Sequence, residues 1–150
     1  MSIFDKHTRG AMNDCVFCRI VSGEIASEIL FENEQVVAIL DINPIHFGHA
    51  LVIPRKHFRD FLELEQQCYP SLLDAARIVS SALVKGLKLE GFNLFSNNGR
   101  AAGQSIFHFH LHVTPRYPDD DIRFVLKLKK YDDGKMKQYA ALIRNHIEHN

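Results

Sequence analysis

His108-Phe109-His110-Leu111-His112-Val113 is the stretch on which the reading of this chain turns. Side chains alternate across a β-strand, so the three imidazoles share one face and Phe109, Leu111 and Val113 share the other. The apolar set can enter a core. The imidazoles cannot all be protonated cheaply side by side, because like charges repel. Each neutral ring also needs partners for its two nitrogens. An accidental polar face is a poor account of three histidines at period two. A metal site or a catalytic row fits the chemistry better.

Working outward, Asn97-Asn98-Gly99-Arg100-Ala101-Ala102-Gly103-Gln104-Ser105 leads into this strand. Its glycines let backbone N–H groups approach an anion, and Gln104 and Ser105 add polar groups. Most such loops are plain turns. One that feeds a histidine row is a candidate phosphate cradle.

The flanking pattern predicts strands at Glu28–Glu32, Val36–Ile42, Ala50–Ile53 and Phe92–Ser96, the histidine strand at Ile106–Val113, and a short strand at Phe124–Leu128. Asn43-Pro44, Pro54 and Pro115 punctuate them. Leu72, Leu73, Ala76, Val79, Ser80, Leu83 and Leu87 keep a 3.6-residue period, which predicts a long helix from Pro70 to Leu89. Cys15–Ser22 reads as a short helix and Asp133–His149 as a C-terminal one. The expected architecture is a single α+β domain, residues 1–150: a mostly antiparallel meander sheet with one long helix and a C-terminal helix, preceded by a loose arm over residues 1–14.

The chain has 150 residues, with 18 Lys+Arg against 18 Asp+Glu. A formal charge of zero gives no global attraction to nucleic acid or an anionic membrane. Hydrophobic residues at 46% and charged ones at 24% are a globular composition. No apolar run reaches the ~20 residues of a bilayer span, and the N-terminus lacks a signal-peptide core, so a cytoplasmic location is the expectation. Three cysteines, an odd number, argue against a disulfide framework. Cys15-Val16-Phe17-Cys18 can clamp one side of a tetrahedral ion, or be two reduced thiols beside a short helix. Cys68 reads as a packed thiol. Arg55, Lys56 and Arg116 could steer an anion, although solvated surface charge is the simpler reading.

Gly103-Gln104-Ser105-x-x-His108-x-His110-x-His112 resembles the signature of the histidine triad (HIT) nucleotide-binding hydrolases. The resemblance extends to Phe17-Cys18-Arg19-Ile20-Val21, to Leu40-Asp41-Ile42-Asn43-Pro44, and to the run from Gly48 to His57. Thr114 departs from the apolar residue usual at that position. The resemblance implies a HIT-like fold and a hydrolase acting at the α-phosphate of a nucleotide conjugate. Its substrates would be nucleoside phosphoramidates, acyl nucleotides or dinucleoside polyphosphates, with purine bases. His110 would be the nucleophile, forming a nucleotidyl-histidine that water then releases as a mononucleotide. His112, Asn97, Gly103, Gln104 and Ser105 would hold phosphoryl oxygens, and the Ser105 hydroxyl would help the leaving group. Asp41 and Ile42 would meet the ribose, with His49 beside the nucleotide. For Asp41 the residues alone offer a turn cap instead. For His49 they offer a satisfied, partly buried ring.

The resemblance also implies a structural zinc ion on Cys15, Cys18, His57 and His108, and a homodimer with sheets joined across the interface. Two other readings compete. One is a nucleotide-binding regulatory or scaffold protein with little turnover. The other uses the three histidines as one open metal site.

Overall fold

β1 (Ile29–Glu32), β2 (Val36–Leu40) and β3 (Ala50–Pro54) form an antiparallel meander in which Val37 faces Ile53 and Ile39 faces Leu51. Asn33 sets the first turn, because its side-chain oxygen accepts from the N–H groups of Gln35 and Val36. The computed structural model describes residues 14–148, so most of the expected N-terminal arm, together with His149, lies outside the described residues.

After β3 come two short 3₁₀ turns, Phe61–Glu63 and Gln66–Cys68. α2 (Tyr69–Leu87) follows, with its proline in the first turn, where the missing N–H would have no helical partner. It is preceded in the chain by α1 (Val16–Val21). β4 (Gly91–Phe95) then leads through a 3₁₀ turn at Arg100–Ala102 to β5 (Leu111–Arg116). The sheet order is β1-β2-β3-β5-β4, with every pairing antiparallel. The meander is therefore incomplete: β5 inserts between β3 and β4. His112 thus lies on an interior strand of the sheet.

Both faces of β2 and β3 are covered. On one, Leu72, Ala76, Val79 and Leu83 of α2 pack against Val36, Ala38, Val52, Phe109 and Val113. On the other, Phe17 and Cys15 pack with Val37, Ile39, Leu51 and Ile53. Burial on two faces explains why β2 and β3 are continuous apolar runs without alternation.

Strand limits differ from the sequence reading where partners run out. β2 stops at Leu40, since Asp41 turns its carboxylate onto the Asn43 N–H at 2.9 Å. The triad strand pairs only from Leu111; His108 and His110 precede it outside the ladder, where the Phe109 N–H donates to the Phe58 carbonyl. Phe124–Leu128 lies in no ladder, so it is not a strand. The described residues fall into two compact units that divide between Asp120 and Asp121. The second carries α3 (Lys135–Arg144), which is shorter at both ends than its periodicity predicts.

Candidate active site and metal cluster

The three triad rings share the face opposite α2, as alternation requires. The apolar partners Phe109, Leu111 and Val113 turn to the α2 core. His110 and His112 have ring centroids 4.7 Å apart, and the Phe17 ring of α1 meets both His108 and His110 edge-on.

Hydrogen bonds to the backbone fix the tautomers of His108, His110 and His49, and the His49 ring fixes that of His112. The His110 Nδ1–H donates to the His108 carbonyl at 2.7 Å, which leaves Nε2 as an unprotonated lone pair. The His108 Nε2–H donates to the Pro54 carbonyl at 2.8 Å, so its free lone pair is on Nδ1. The Ile45 N–H donates to His49 Nδ1 at 3.1 Å. The His49 proton is therefore on Nε2, from which it reaches His112 Nδ1 at 2.9 Å. That leaves the His112 proton on Nε2. The row thus presents a nucleophilic nitrogen on His110 and an N–H donor on His112.

Burial keeps these rings neutral. It pushes His112 down to about 4, helped by the neighbouring His110 and His49 and opposed by Asp41. It also lowers His110 and His49. Phe95 stacks on His112 with centroids 4.7 Å apart and planes 10° from parallel.

Asp41 makes the turn cap that the residues alone offered. One carboxylate oxygen caps the turn at Asn43 and the other lies 3.5 Å from His49 Nδ1. Each carboxylate oxygen has two lone pairs, so capacity remains for a diol. Ile42 is 88% exposed beside it and is free to cover a ligand.

The 97–105 loop is organised by Gln104. Its side-chain oxygen accepts from the Gly99 N–H at 2.8 Å, and its amide donates to the carbonyls of Arg59 and Ile106. The side-chain amide of Gln104 is spent inside the protein, so it shapes the loop. The loop turns at Gly99 and Gly103, both at positive φ. A Cβ on Gly103 would lie 3.9 Å from the Asn97 amide, which places Asn97 over the loop. Ser105 is exposed at its end.

Cys15, Cys18, His57 and His108 converge although they come from three separated segments; their ligand atoms all lie within 4.8 Å of one another. The Cys15 and Cys18 sulfurs lie 3.4 and 3.5 Å from His108 Nδ1, and Cys18 lies 3.3 Å from His57 Nδ1. A tetrahedral ion with Zn–S of about 2.3 Å and Zn–N of about 2.0–2.1 Å separates sulfur from nitrogen by roughly 3.5 Å. The His108 lone pair also points at the sulfurs. The donor set fits zinc in spacing, and the His108 Nδ1 lone pair is free to bind it. Burial pushes the Cys18 thiol up to about 12, with further contributions from the Cys15 hydrogen bond and charge. A dication would reverse that preference. Asp41, His49 and His112 also cluster, but there the histidines are bonded to each other and to backbone.

Arg55, Lys56 and Arg116 form ion pairs with Glu32, Glu65 and Asp120 respectively. Phe17, Phe95 and the Ile45 N–H were not singled out as site groups from the sequence. Phe17, lying inside the Cys-x-x-Cys motif, was the one with a signal.

The HIT domain model matches residues 22–119. An adenylylsulfatase, HINT3 of Arabidopsis thaliana, is 36% identical over 138 residues, covering 90% of this chain and 70% of its own. The adenosine 5′-monophosphoramidase HNT1 of Saccharomyces cerevisiae is 36% identical over 102 residues, 68% of this chain and 62% of its own. Among solved structures, a HIT family member from Bacillus subtilis superposes with a TM-score of 0.86 at 32% identity, covering 91% of this chain and 99% of that one. A Zn-bound histidine triad family protein from Mycobacterium smegmatis gives 0.71 at 34% identity, with coverage of 89% and 96%.

Proposed function

The chain belongs to the HIT domain family, and from that premise we propose that it is a nucleotidyl hydrolase working through His110. The relatives named for adenylylsulfatase and phosphoramidase activity support a hydrolase that splits a nucleotide conjugate at its α-phosphorus. The observation that carries the reading is the His110 Nδ1–H bond to the His108 carbonyl, which aims an unprotonated Nε2 out of the row.

In this reading the purine nucleotide lies with its ribose diol on Asp41, its sugar edge under Ile42, and its phosphoryl oxygens among Asn97, the Gly103–Ser105 backbone and His112. The His110 Nε2 lone pair bonds to phosphorus and the bond to the leaving group breaks. Charge gathers on the non-bridging oxygens, where the His112 Nε2–H donates. The Ser105 hydroxyl hydrogen-bonds the leaving atom: a leaving nitrogen takes its proton through that hydroxyl, which is restored by the proton released when water attacks, whereas a leaving carboxylate needs none. Water then attacks phosphorus, the P–N bond to His110 breaks, and a mononucleotide leaves with the neutral ring restored. His49 acts through His112 as a positioning residue. Gln104 acts through the loop.

Cys15, Cys18, His57 and His108 would hold one zinc ion in a closed Cys₂His₂ site, with no position open for substrate. Bound there, the ion ties α1 to the β3 end and to the root of the triad segment, which makes it structural.

The chain would act as a homodimer. β4 is an edge strand whose Phe92 and Leu94 remain 40% and 45% exposed. The groove between β4 and α2 contains a buried Ser80 hydroxyl with no partner among the described residues. A second copy pairing along β4 would cover all three. Molar mass from light scattering tests this, and a monomer at micromolar concentration would overturn it.

The test of function is a substrate panel: adenosine 5′-phosphoramidate, an acyl adenylate and diadenosine polyphosphates, with release of AMP measured for wild type and His110→Ala. Turnover of at least one substrate that disappears in the variant is expected. Equal turnover in both sinks the reading.

A further inference from the structure

His49 Nδ1 faces two groups that ask opposite things of it. The Ile45 N–H lies 3.1 Å away and requires a lone pair there. A carboxylate oxygen of Asp41 lies 3.5 Å away and would take a hydrogen bond from a proton there. His49 Nε2 and His112 Nδ1 are 2.9 Å apart, so a single proton serves that pair and the state of one ring sets the other. With the Ile45 N–H in place, both rings carry their proton on Nε2. With the His49 proton on Nδ1 instead, bonded to Asp41, His49 Nε2 becomes the acceptor and the His112 proton moves to Nδ1. His112 Nε2 is then a lone pair. The first state gives a phosphoryl oxygen a donor, and the second sets a lone pair against it.

We propose that Tyr117 is a positioning residue that holds this pair of rings in the first state. It clamps the 42–48 loop through His46, so that the Ile45 N–H stays on His49 Nδ1. The proposal rests on the nucleotidyl-hydrolase reading, because it names what keeps the His112 donor available to that reaction.

The loop folds on itself but needs a hold on the rest of the domain. Its Asp41 N–H donates to the His49 carbonyl at 2.9 Å, and its His49 N–H donates to the His46 carbonyl at 3.0 Å. Ile42 and Phe47 are 88% and 82% exposed, so their side of the loop is open to solvent. One foot is Gly48, where a Cβ would come 2.6 Å from Leu87 and 3.2 Å from Pro115. The other is the His46 ring, which stacks on Tyr117 with centroids 4.5 Å apart and planes 37° from parallel. The Tyr117 hydroxyl also donates to the Phe47 carbonyl at 3.4 Å. His46 follows Ile45 directly, so a displaced ring carries the Ile45 N–H with it. The buried His46 Nδ1 has no hydrogen-bond partner among the described residues, so at that atom the ring is held by stacking alone.

Tyr117 is itself held firmly. Its N–H donates to the Asp120 carboxylate at 3.0 Å. That carboxylate, 2% exposed, takes two further hydrogen bonds from Arg116, at 2.7 and 2.9 Å. The same guanidinium reaches the Asn93 side-chain oxygen on β4 at 2.9 Å. A bidentate, charge-assisted pair is a rigid mount. The clamp therefore transmits the position of the β5 end to a loop that carries the tautomer-setting N–H.

Two-bond proton–nitrogen spectra of the histidine rings, taken at mildly alkaline pH, read the tautomers without any turnover. Wild type should show Nε2–H on both His49 and His112. Tyr117→Ala should move both toward Nδ1–H, while His110, held by the His108 carbonyl, keeps its own Nδ1–H. Its kcat for adenosine 5′-phosphoramidate should fall about tenfold, with KM moving less. That is smaller than the roughly hundredfold cost of deleting a donor outright, because the shift is partial. His46→Ala should behave alike, and so should Tyr117→Leu, which fills the space without a ring and serves if the alanine variant does not fold. Tyr117→Phe and His46→Phe keep the stack, so both should keep wild-type tautomers and at least about half of kcat. Wild-type tautomers in the ringless variants would overturn the clamp, whatever their kcat. A shift in which His110 moves as well would overturn it too, as general loosening. Absence of turnover by wild type on the phosphoramidate, an acyl adenylate and diadenosine polyphosphates would instead remove the hydrolase reading and the clamp's part in it, a failure the spectra keep distinct from the first.

Discussion

Gln104 and Arg59, 45 residues apart in sequence, are joined by a 2.7 Å hydrogen bond from the Gln104 amide to the Arg59 carbonyl. The same side chain accepts from the Gly99 N–H and donates to the Ile106 carbonyl. The 97–105 loop is therefore closed on itself and anchored to the turn after β3 by one buried amide. Gln104→Ala leaves several of these groups unpaired, at about 1–3 kcal/mol in stability. Gln104→Glu costs more, because an acceptor then faces two carbonyls. Both should raise KM for the simple phosphoramidate by loosening the cradle, with Glu the worse in thermal melts and in KM. A melting temperature and KM equal to wild type would show that the amide holds nothing.

His110→Ala should lower kcat by about a thousandfold or more, as loss of a nucleophile does, because the covalent route disappears. AMP should still bind, since Asp41, Asn97, the Gly103–Ser105 backbone and His112 remain. Calorimetry with AMP beside the turnover assay separates the two effects. Turnover near wild type would remove His110 from its role. Loss of AMP binding along with turnover would mean that the ring holds nucleotide instead.

Much of this was legible in the sequence, for reasons that also mark its limits. The apolar runs of β2 and β3 and the 3.6-residue period of α2 report burial directly. Alternation at 108–113 reports which side chains share a face. It does not report which backbone groups find a ladder, so the pairing of His108 and His110 was overextended. The same limit produced a strand at Phe124–Leu128. Insertion of β5 between β3 and β4 is a matter of sheet order, which adjacency in sequence does not encode. Gln104 was read as a phosphate donor because its partner, the Arg59 carbonyl, is supplied by tertiary structure. Gly48 had no local signal either: it sits at φ 93°, and a Cβ there would come 2.6 Å from a Leu87 methyl.

Stability should fall on acidification through the ring row. His112 faces His49, His110 and Asp41, and burial holds it at about 4, below its unfolded value near 6.5. A depressed folded-state pKa gives stability that is present above about pH 6.5 and lost as pH falls toward 4. Over that window the ring costs up to about 1.4 kcal/mol per pH unit. His112→Asn removes this titration, so its unfolding free energy should lose less between pH 6.5 and 4.5 than that of wild type. Denaturant melts at several pH values measure the difference. Parallel curves for the two proteins would show that His112 is not buried neutral.

Zinc removal is the last expectation, and it separates a structural ion from a catalytic one. The chain should purify with one zinc per polypeptide, held by Cys15, Cys18, His57 and His108. Two thiolates and two neutral rings cancel the ion's charge, which makes burial tolerable. Such an ion would link α1 to segments 39 and 90 residues away in sequence, so it would crosslink the folded state and be lost on unfolding. Chelation should lower the melting temperature. The loss amounts to about 4 kcal/mol where free zinc would have stood a thousandfold above its dissociation constant. Cys15→Ala should lose the metal and show the same lowered melting temperature, with no further change on chelation. Turnover in the chelated protein, measured well below its new melting temperature, should fall far less than in His110→Ala, because the ion has no open position for substrate. A metal-free protein from zinc-replete growth, with Cys15 and Cys18 titrating as free thiols, would reduce the cluster to two ordinary cysteines beside two histidines. Abolition of turnover by chelation at unchanged melting temperature would instead place the ion in the chemistry.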